Sequence, residues 1–345
     1  MNASNFDDYY GTLINEYYYY NDDLPTLIQI SKIVVCYIQP VICMTGFVGN
    51  LIAACVFTSK YLRLNSSNLY LATLSCCTCV YMMSVLLVWL EVVGMPIIHQ
   101  DGICQLVVFV TFVCSFLTVW LVAVITFEHY VIVHHISAAR FVCQRRKAKI
   151  LVSCLILSSV VLYSMSLWST RVEKKFNMMV CTPGSDKRAL LTQVIFHIDM
   201  VATLLLPGII TVALICACVS RHLLWKDFKV SCCRHQRNGR ISRRERSLLR
   251  IARALLMISL SHVLFSSPCF IFRLKYQIST LMTGEDSSLY KDVFVNQILQ
   301  TLYYLSFTAN VLIYVAFCAN FRLGLKNIFP LRKLNCFQQN LEETS

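Results

Sequence analysis

The sequence predicts an all-α membrane protein, a seven-transmembrane helix bundle followed by a short amphipathic eighth helix, and three observations predict it. The chain of 345 residues is 57% hydrophobic and only 14% charged, against about 45–50% apolar and about 25% charged in an ordinary soluble domain. Seven apolar stretches each reach the roughly 20 residues that a membrane-crossing helix needs. Lys and Arg collect in alternate connections between those stretches, the asymmetry that orients a membrane protein.

The stretches fall at 33–58, 68–93, 104–133, 149–170, 189–219, 248–272 and 293–318. Residues 33–318 therefore make one membrane domain, between a tail over 1–32 and a segment over 319–345 that carries the amphipathic helix. An odd number of crossings puts the two ends on opposite sides. The basic connections follow stretches one, three and five, so they are expected in the cytoplasm with the C-terminal tail, and the N-terminus outside the plasma membrane. The net charge of +13 is mostly this orientation signal. The run RHQRNGRISRRER over 234–246 has the charge to bind phosphate. It joins two membrane stretches, however, and so reads as cytoplasmic surface facing solvent, lipid headgroups or a partner rather than nucleic acid.

The first 24 residues, MNASNFDDYYGTLINEYYYYNDDL, are acidic and rich in tyrosine where a signal peptide has a positive and then an apolar region. The first membrane stretch is then the targeting signal. Asn2, in Asn2-Ala3-Ser4, is a glycosylation acceptor on the outer side, whereas Asn65-Ser66-Ser67 lies in a cytoplasmic connection and should stay bare. Most of the 18 cysteines, among them Cys76, Cys77, Cys79, Cys114, Cys216 and Cys218, sit in apolar stretches as small hydrophobes. Cys104 and Cys181 both fall on the side where disulfides persist, and they are expected to pair. Cys232 and Cys233 near His235 lack the further ligands that zinc requires, so no metal is expected. Cys336 in the tail is a lipidation candidate. No cofactor is implied.

Polar and special residues punctuate the stretches in a fixed order. Gly46-Phe47-Val48-Gly49-Asn50 lies in the first, Asn68 with Leu71-Ala72 in the second, and Glu128-His129-Tyr130 ends the third. Pro207 and Pro268 interrupt the fifth and sixth. Asn310-Val311-Leu312-Ile313-Tyr314 closes the seventh, and Phe321-Arg322 opens the amphipathic helix. Singly, the glycines permit close helix packing and the prolines bend their helices. Asn50 and Asn310, polar at membrane depth, are expected in one internal network.

In this order and spacing, over about 33–329, the chain resembles the rhodopsin-like (class A) G-protein-coupled receptors. The resemblance implies an extracellular ligand, a heterotrimeric G protein or arrestin at the cytoplasmic face, and no enzymatic activity. It also implies roles in activation for Asn50, Glu128, Tyr130, Pro207, Pro268, Asn310 and Tyr314. Five positions depart from the family's pattern in ways that bear on activation. His129, 25 residues after Cys104, stands where the family has an arginine. Ser75 replaces a sodium-holding aspartate, Ser266 a tryptophan, and Val311 a proline; Ile215 likewise replaces a tyrosine. An arginine is always charged, while an imidazole with its ordinary pKa of about 6.5 is mostly neutral at pH 7 unless Glu128 holds its proton.

The same resemblance bears on the ligand. Thr111 aligns with the carboxylate that amine receptors use, which disfavours a monoamine, and residues 293–318 contain no lysine for the Schiff base that retinal would need. The outer half offers Trp89, Glu91, His197, Asp199, Arg273, Asn296 and Gln300, a set suited to peptide backbone and charged termini. Asp199 at membrane depth needs a ligand cation or a neighbour, and Arg273 is the neighbour expected. Residues 88–120 and 162–168 resemble invertebrate neuropeptide receptors of the FMRFamide, myosuppressin and thyrotropin-releasing-hormone type. The segment EYYYYNDD over 16–23 resembles the sulfated tails of chemokine receptors, which opens a second reading as a chemokine-like or decoy receptor with weak coupling; it also fits a plain disordered tail. A transporter or channel is the alternative from another class, but no internal repeat is found. No HExxH, GxSxG or phosphate-cradling loop marks an enzyme.

Overall fold

The computed structural model describes residues 24–60, 62, 66–95, 97–100, 102–175, 178–183, 194–232, 243–283 and 290–328. Asn2, the acidic tail up to residue 23 and Cys336 lie outside them. Seven helices are long and apolar enough to cross a membrane: Thr26–Thr58, Ser66–Val92, Ile103–His134, Arg145–Ser169, Val194–Arg221, Arg253–Ser279 and Asp292–Phe317. They are called the first to seventh spans below.

Their limits differ from the expected ones for local reasons. The first span begins earlier because a π-helical turn, Val34–Ile38, joins Leu24–Ile33 to Gln39–Thr58 without breaking the helix. The sixth belongs to a helix running over Arg243–Thr283. Its basic N-terminal part has arginine and leucine, good helix formers, and so continues beyond the apolar stretch. In the fifth span a second π-helical segment, Met200–Leu205, precedes Pro207. Proline has no N–H and crowds the carbonyl four residues back, and a widened turn relieves both problems. The fourth span stops at Ser169. Thr170, expected inside it, instead opens a hairpin of β1 (Thr170–Lys175) and β2 (Met178–Pro183), in which Val172 faces Cys181. Two lysines, an arginine and a glutamate in β1 cannot stay in hydrocarbon, and alternation about Val172 suits a strand.

The third span is the central post. It packs on the second, fourth, fifth and sixth, while the first lies against the second and seventh, and the seventh against the sixth. Two cores follow. One gathers Leu74, Leu121, Ile125, Leu255, Ile258 and Tyr314; the other, nearer the hairpin, gathers Tyr81, Met82, Cys269, Tyr303, Tyr304 and Phe307. Leu157, Trp168, Ile209, Leu264 and Leu312 point outward and are exposed. A membrane solvates such side chains, so their exposure carries no penalty.

After Cys318 a short helix, Ala319–Ile328, turns back on the bundle. Phe321 is buried between Phe57 and Tyr314, at ring distances of 5.3 and 5.7 Å. Arg322 donates to the carbonyls of Val315 at 3.1 Å and Ala316 at 2.8 Å, covering acceptors that the end of the seventh span leaves open.

Close approach of the first and seventh spans depends on two glycines. A Cβ at Gly46 would lie 2.8 Å from Thr308 Oγ1, and one at Gly49 would lie 2.9 and 3.1 Å from the two methyls of Val311. A β-branched valine in a helix cannot rotate away. Gly49→Ala is therefore expected to destabilise the solubilised protein by about 1–3 kcal/mol, read as thermal unfolding in detergent, and Val311→Ala in the same chain to restore most of the loss. Equal stability of wild type and Gly49→Ala would refute the packing account.

Candidate functional site

At the hairpin end the third span begins on Gly102, whose φ of 90° is open to glycine. Its N–H donates to Gln105 Oε1 at 2.6 Å. This start places Cys104, fully buried, within bonding reach of β2: Cys104 and Cys181 form a disulfide across 77 residues, with Cα atoms 5.8 Å apart. The expected pair is present, and it ties the hairpin to the central span. Beside it, Glu91 pairs with His99 at 3.1 Å. Trp89 donates its indole N–H to the Val35 carbonyl at 3.0 Å, so this tryptophan anchors the π-helical turn of the first span.

Deeper in the same end, Asp199 does not pair with Arg273. Its carboxylate accepts from Tyr163 Oη at 2.6 Å and from Thr203 Oγ1 at 2.8 Å, and the two hydroxyls lie 2.9 Å apart. Arg273 donates to Gln300 Oε1 at 2.7 Å, where the Cys269 thiol also donates at 3.4 Å. The reason is position: Asp199 lies on the fifth span facing the fourth, whereas Arg273 on the sixth reaches toward the seventh. Thr111 turns back on its own helix, to the Val107 carbonyl at 2.7 Å. Asn296 keeps a buried carbonyl oxygen with no hydrogen-bond partner among the described residues. His197 is half-buried on the fifth span. Sequence pattern does not single out Tyr163, Thr203 and His99; a tyrosine inside an apolar stretch and a threonine four residues after an aspartate are the available signals.

Midway along the bundle, Asn50 donates to the carbonyls of Gly46 at 2.8 Å and Phe307 at 3.1 Å. It thus joins the first span to the seventh, but through backbone. Asn310, expected in the same network, has no hydrogen-bond partner for either side-chain atom among the described residues. Ser75 and Tyr314 are fully buried nearby, and Ser266 and Pro268 lie on the sixth span. Pro207 follows the π-helical segment of the fifth.

At the opposite end from the hairpin, Glu128 and His129 are buried, at 3% and 1% exposure. A helix end that meets water would leave both open, so these residues belong to the packed bundle. The Glu128 carboxylate accepts from Ser66 Oγ on the second span. Cys143, in the connection after the third span, lies beside it: burial, and then Glu128, push that thiol up to about 12, so it stays protonated. Tyr130 stacks on His134 with ring centroids 4.2 Å apart. Two residues before Glu128, Thr126 Oγ1 meets Ser259 Oγ at 2.7 Å, a buried hydroxyl pair linking the third and sixth spans. Ser66, Thr126 and Ser259 were missed because hydroxyls are common in membrane helices and usually bond to their own backbone.

A family model described as 7 transmembrane receptor (rhodopsin family) matches residues 49–314, from Gly49 to Tyr314. No curated protein matches the chain.

Two outcomes test this geometry. The disulfide should contribute about 2–4 kcal/mol, so Cys104→Ser and Cys181→Ser are each expected to lose surface expression, with the double mutant little worse, as counted by flow cytometry. Full expression of either single mutant would contradict the tether. Ser66→Ala removes a donor from a buried carboxylate, a loss of about 1–3 kcal/mol; thermal unfolding should drop for Ser66→Ala and recover in the Ser66→Ala, Glu128→Gln double mutant.

Proposed function

The chain belongs to the rhodopsin family of seven-transmembrane receptors, and on that premise we propose that it binds an extracellular peptide and signals to heterotrimeric G proteins from the plasma membrane. The observation that carries the peptide reading is a carboxylate and a guanidinium at one end of the bundle that are not bonded to each other. Asp199 accepts from hydroxyls and Arg273 donates to an amide oxygen, so neither is held in an ion pair with the other. Glu91, by contrast, already has His99. A peptide supplies both signs together with backbone donors and acceptors for Asn296 and Gln300, whereas Thr111 offers a lone amine no counter-charge. A neuropeptide of the FMRFamide or thyrotropin-releasing-hormone type fits this chemistry.

The proposed orientation puts the hairpin end and the N-terminus outside. A disulfide between Cys104 and Cys181 supports it, because such bonds persist in oxidising compartments, and the basic run Arg145, Arg146 and Lys147 at the other end supports it through the positive-inside rule. Ligand binding between the fifth, sixth and seventh spans then shifts the sixth away from the third. Parting of Thr126 and Ser259 accompanies that shift, opening a cleft for a G protein or arrestin.

His129 favours a second reading, a chemokine-like or decoy receptor that couples weakly. The family's arginine offers a permanent cation with five donors at this place, and the imidazole does not. The neighbouring carboxylate of Glu128 is also engaged by Ser66.

Screening a tagged receptor against a neuropeptide library, with binding and second messengers both recorded, tests the proposal. For any peptide found, Asp199→Asn and Arg273→Gln should each weaken binding about tenfold or more, a change of about 1.4 kcal/mol; unchanged affinity in both would remove the peptide reading. Nucleotide exchange on purified receptor with G protein separates strong from weak coupling. His129→Arg restores a permanent cation with five donors, so it should raise exchange several-fold over wild type. Equal exchange by the two would leave His129 without a role in coupling.

A further inference from the structure

Between the fifth and sixth spans lies a cavity of about 470 Å³ that the peptide reading does not use. The third span closes its floor with Val119; Gly208 and Val212 form one wall, and His262, Ser266 and Phe270 the other. Its lips are Ile209 and Ile271, which are 67% and 66% exposed. Both lie well inside membrane spans, so the cavity opens sideways, toward hydrocarbon. Small residues create it. A Cβ on Gly208 would meet nothing within 4 Å, and Ser266 is small where a large side chain would fill the space.

The lining is apolar but for a few groups, and one of these stands out. His262 is 3% exposed, and neither of its ring nitrogens has a hydrogen-bond partner among the described residues. Its ring rests on Tyr303 and Phe307, at 6.2 and 6.4 Å. A neutral imidazole has one N–H donor and one acceptor nitrogen, and leaving both unmade in an apolar surround is costly. No acidic or basic side chain other than this histidine lines the cavity, which disfavours a charged head group. The volume lies in the range of about 300–1,000 Å³ that suits small ligands.

We propose that this crevice binds a lipid alcohol of sterol size, which enters from the bilayer and exchanges a hydrogen bond between its single hydroxyl and His262. A hydroxyl both donates and accepts, so it complements the imidazole in either tautomer. His262 follows Ser259 by one turn of the sixth span, and Ser259 holds the third span through Thr126. An occupant wedged between the fifth and sixth spans therefore acts on the same junction that receptor activation opens. Binding itself rests on the cavity and on the membrane topology; only its regulatory consequence rests on the receptor reading.

The test uses the full chain in phosphatidylcholine nanodiscs with a diazirine-bearing cholesterol as probe. Saturable labelling is expected on peptides covering 204–213 and 262–274, competed by excess cholesterol and at least ten-fold less well by its methyl ether. Gly208→Phe should cut that labelling at least five-fold without changing thermal unfolding, and His262→Leu should erase the preference for alcohol over ether. Should His262→Leu fail to fold, Gly208→Phe and Gly208→Leu, placed in open space, decide alone. Labelling that does not saturate, that spreads evenly over the lipid-facing surface, or that survives filling at Gly208 overturns the proposal, as does equal competition by the ether. Cross-linking of two chains through these faces in place of labelling would also overturn it, since a second copy would then fill the crevice. Peptide binding measured on the same samples keeps the two readings apart: its absence leaves the labelling result standing.

Discussion

A bilayer interior offers no hydrogen-bond partner, and nearly every feature of this protein answers to that constraint. Backbone groups must be satisfied within each span, which leaves helices as the available form. The π-helical segments in the spans, Val34–Ile38 and Met200–Leu205, occur where a tertiary partner takes up a loosened carbonyl. Trp89 caps Val35, and Trp120 donates to Ala202 at 2.9 Å. The hairpin, with strand edges that hydrocarbon would not tolerate, sits at the end of the bundle.

The same constraint makes polar side chains into junctions between spans. Tyr163 and Thr203 hold Asp199, Ser66 holds Glu128, and Thr126 meets Ser259. The two carboxylates are satisfied by hydroxyls rather than by cations. Burying two charges together is expensive unless the geometry is excellent, whereas a hydroxyl satisfies a carboxylate at lower desolvation cost. Interhelical bonds of this kind contribute only about 0.6 kcal/mol on average. Such links hold an arrangement yet part under a modest bias, the property a receptor that changes shape requires.

The positions read from the sequence as departing from the family pattern also acquire a physical context. Ser75 lies in a fully buried region with Asn310 and Tyr314, where an aspartate would add a charge. Val311 supplies the methyls that meet Gly49, so the substitution changes how the first and seventh spans fit. Ser266 opens space beside His262. His129 is buried next to a carboxylate that Ser66 engages.

Composition and the run of apolar residues alone determined that this is a seven-span membrane protein, because transfer of a helix into hydrocarbon depends on length and polarity and hardly on context. The pairing of Cys104 with Cys181 was legible too, since redox compartment sorts cysteines by topology. Side-chain partnerships were not. Asp199 had Arg273 or a ligand cation as its expected partner, and Asn50 had Asn310, because sequence shows which residues are polar at membrane depth but not the rotation of each span about its axis. That rotation is set by packing, by the fit of Gly49 to Val311 and of Phe321 to Phe57, and it turned Asp199 to Tyr163 and Arg273 to Gln300. Neither the hairpin that begins at Thr170 nor the crevice at Gly208 and His262 could be read from a linear pattern, for both arise where separate segments meet.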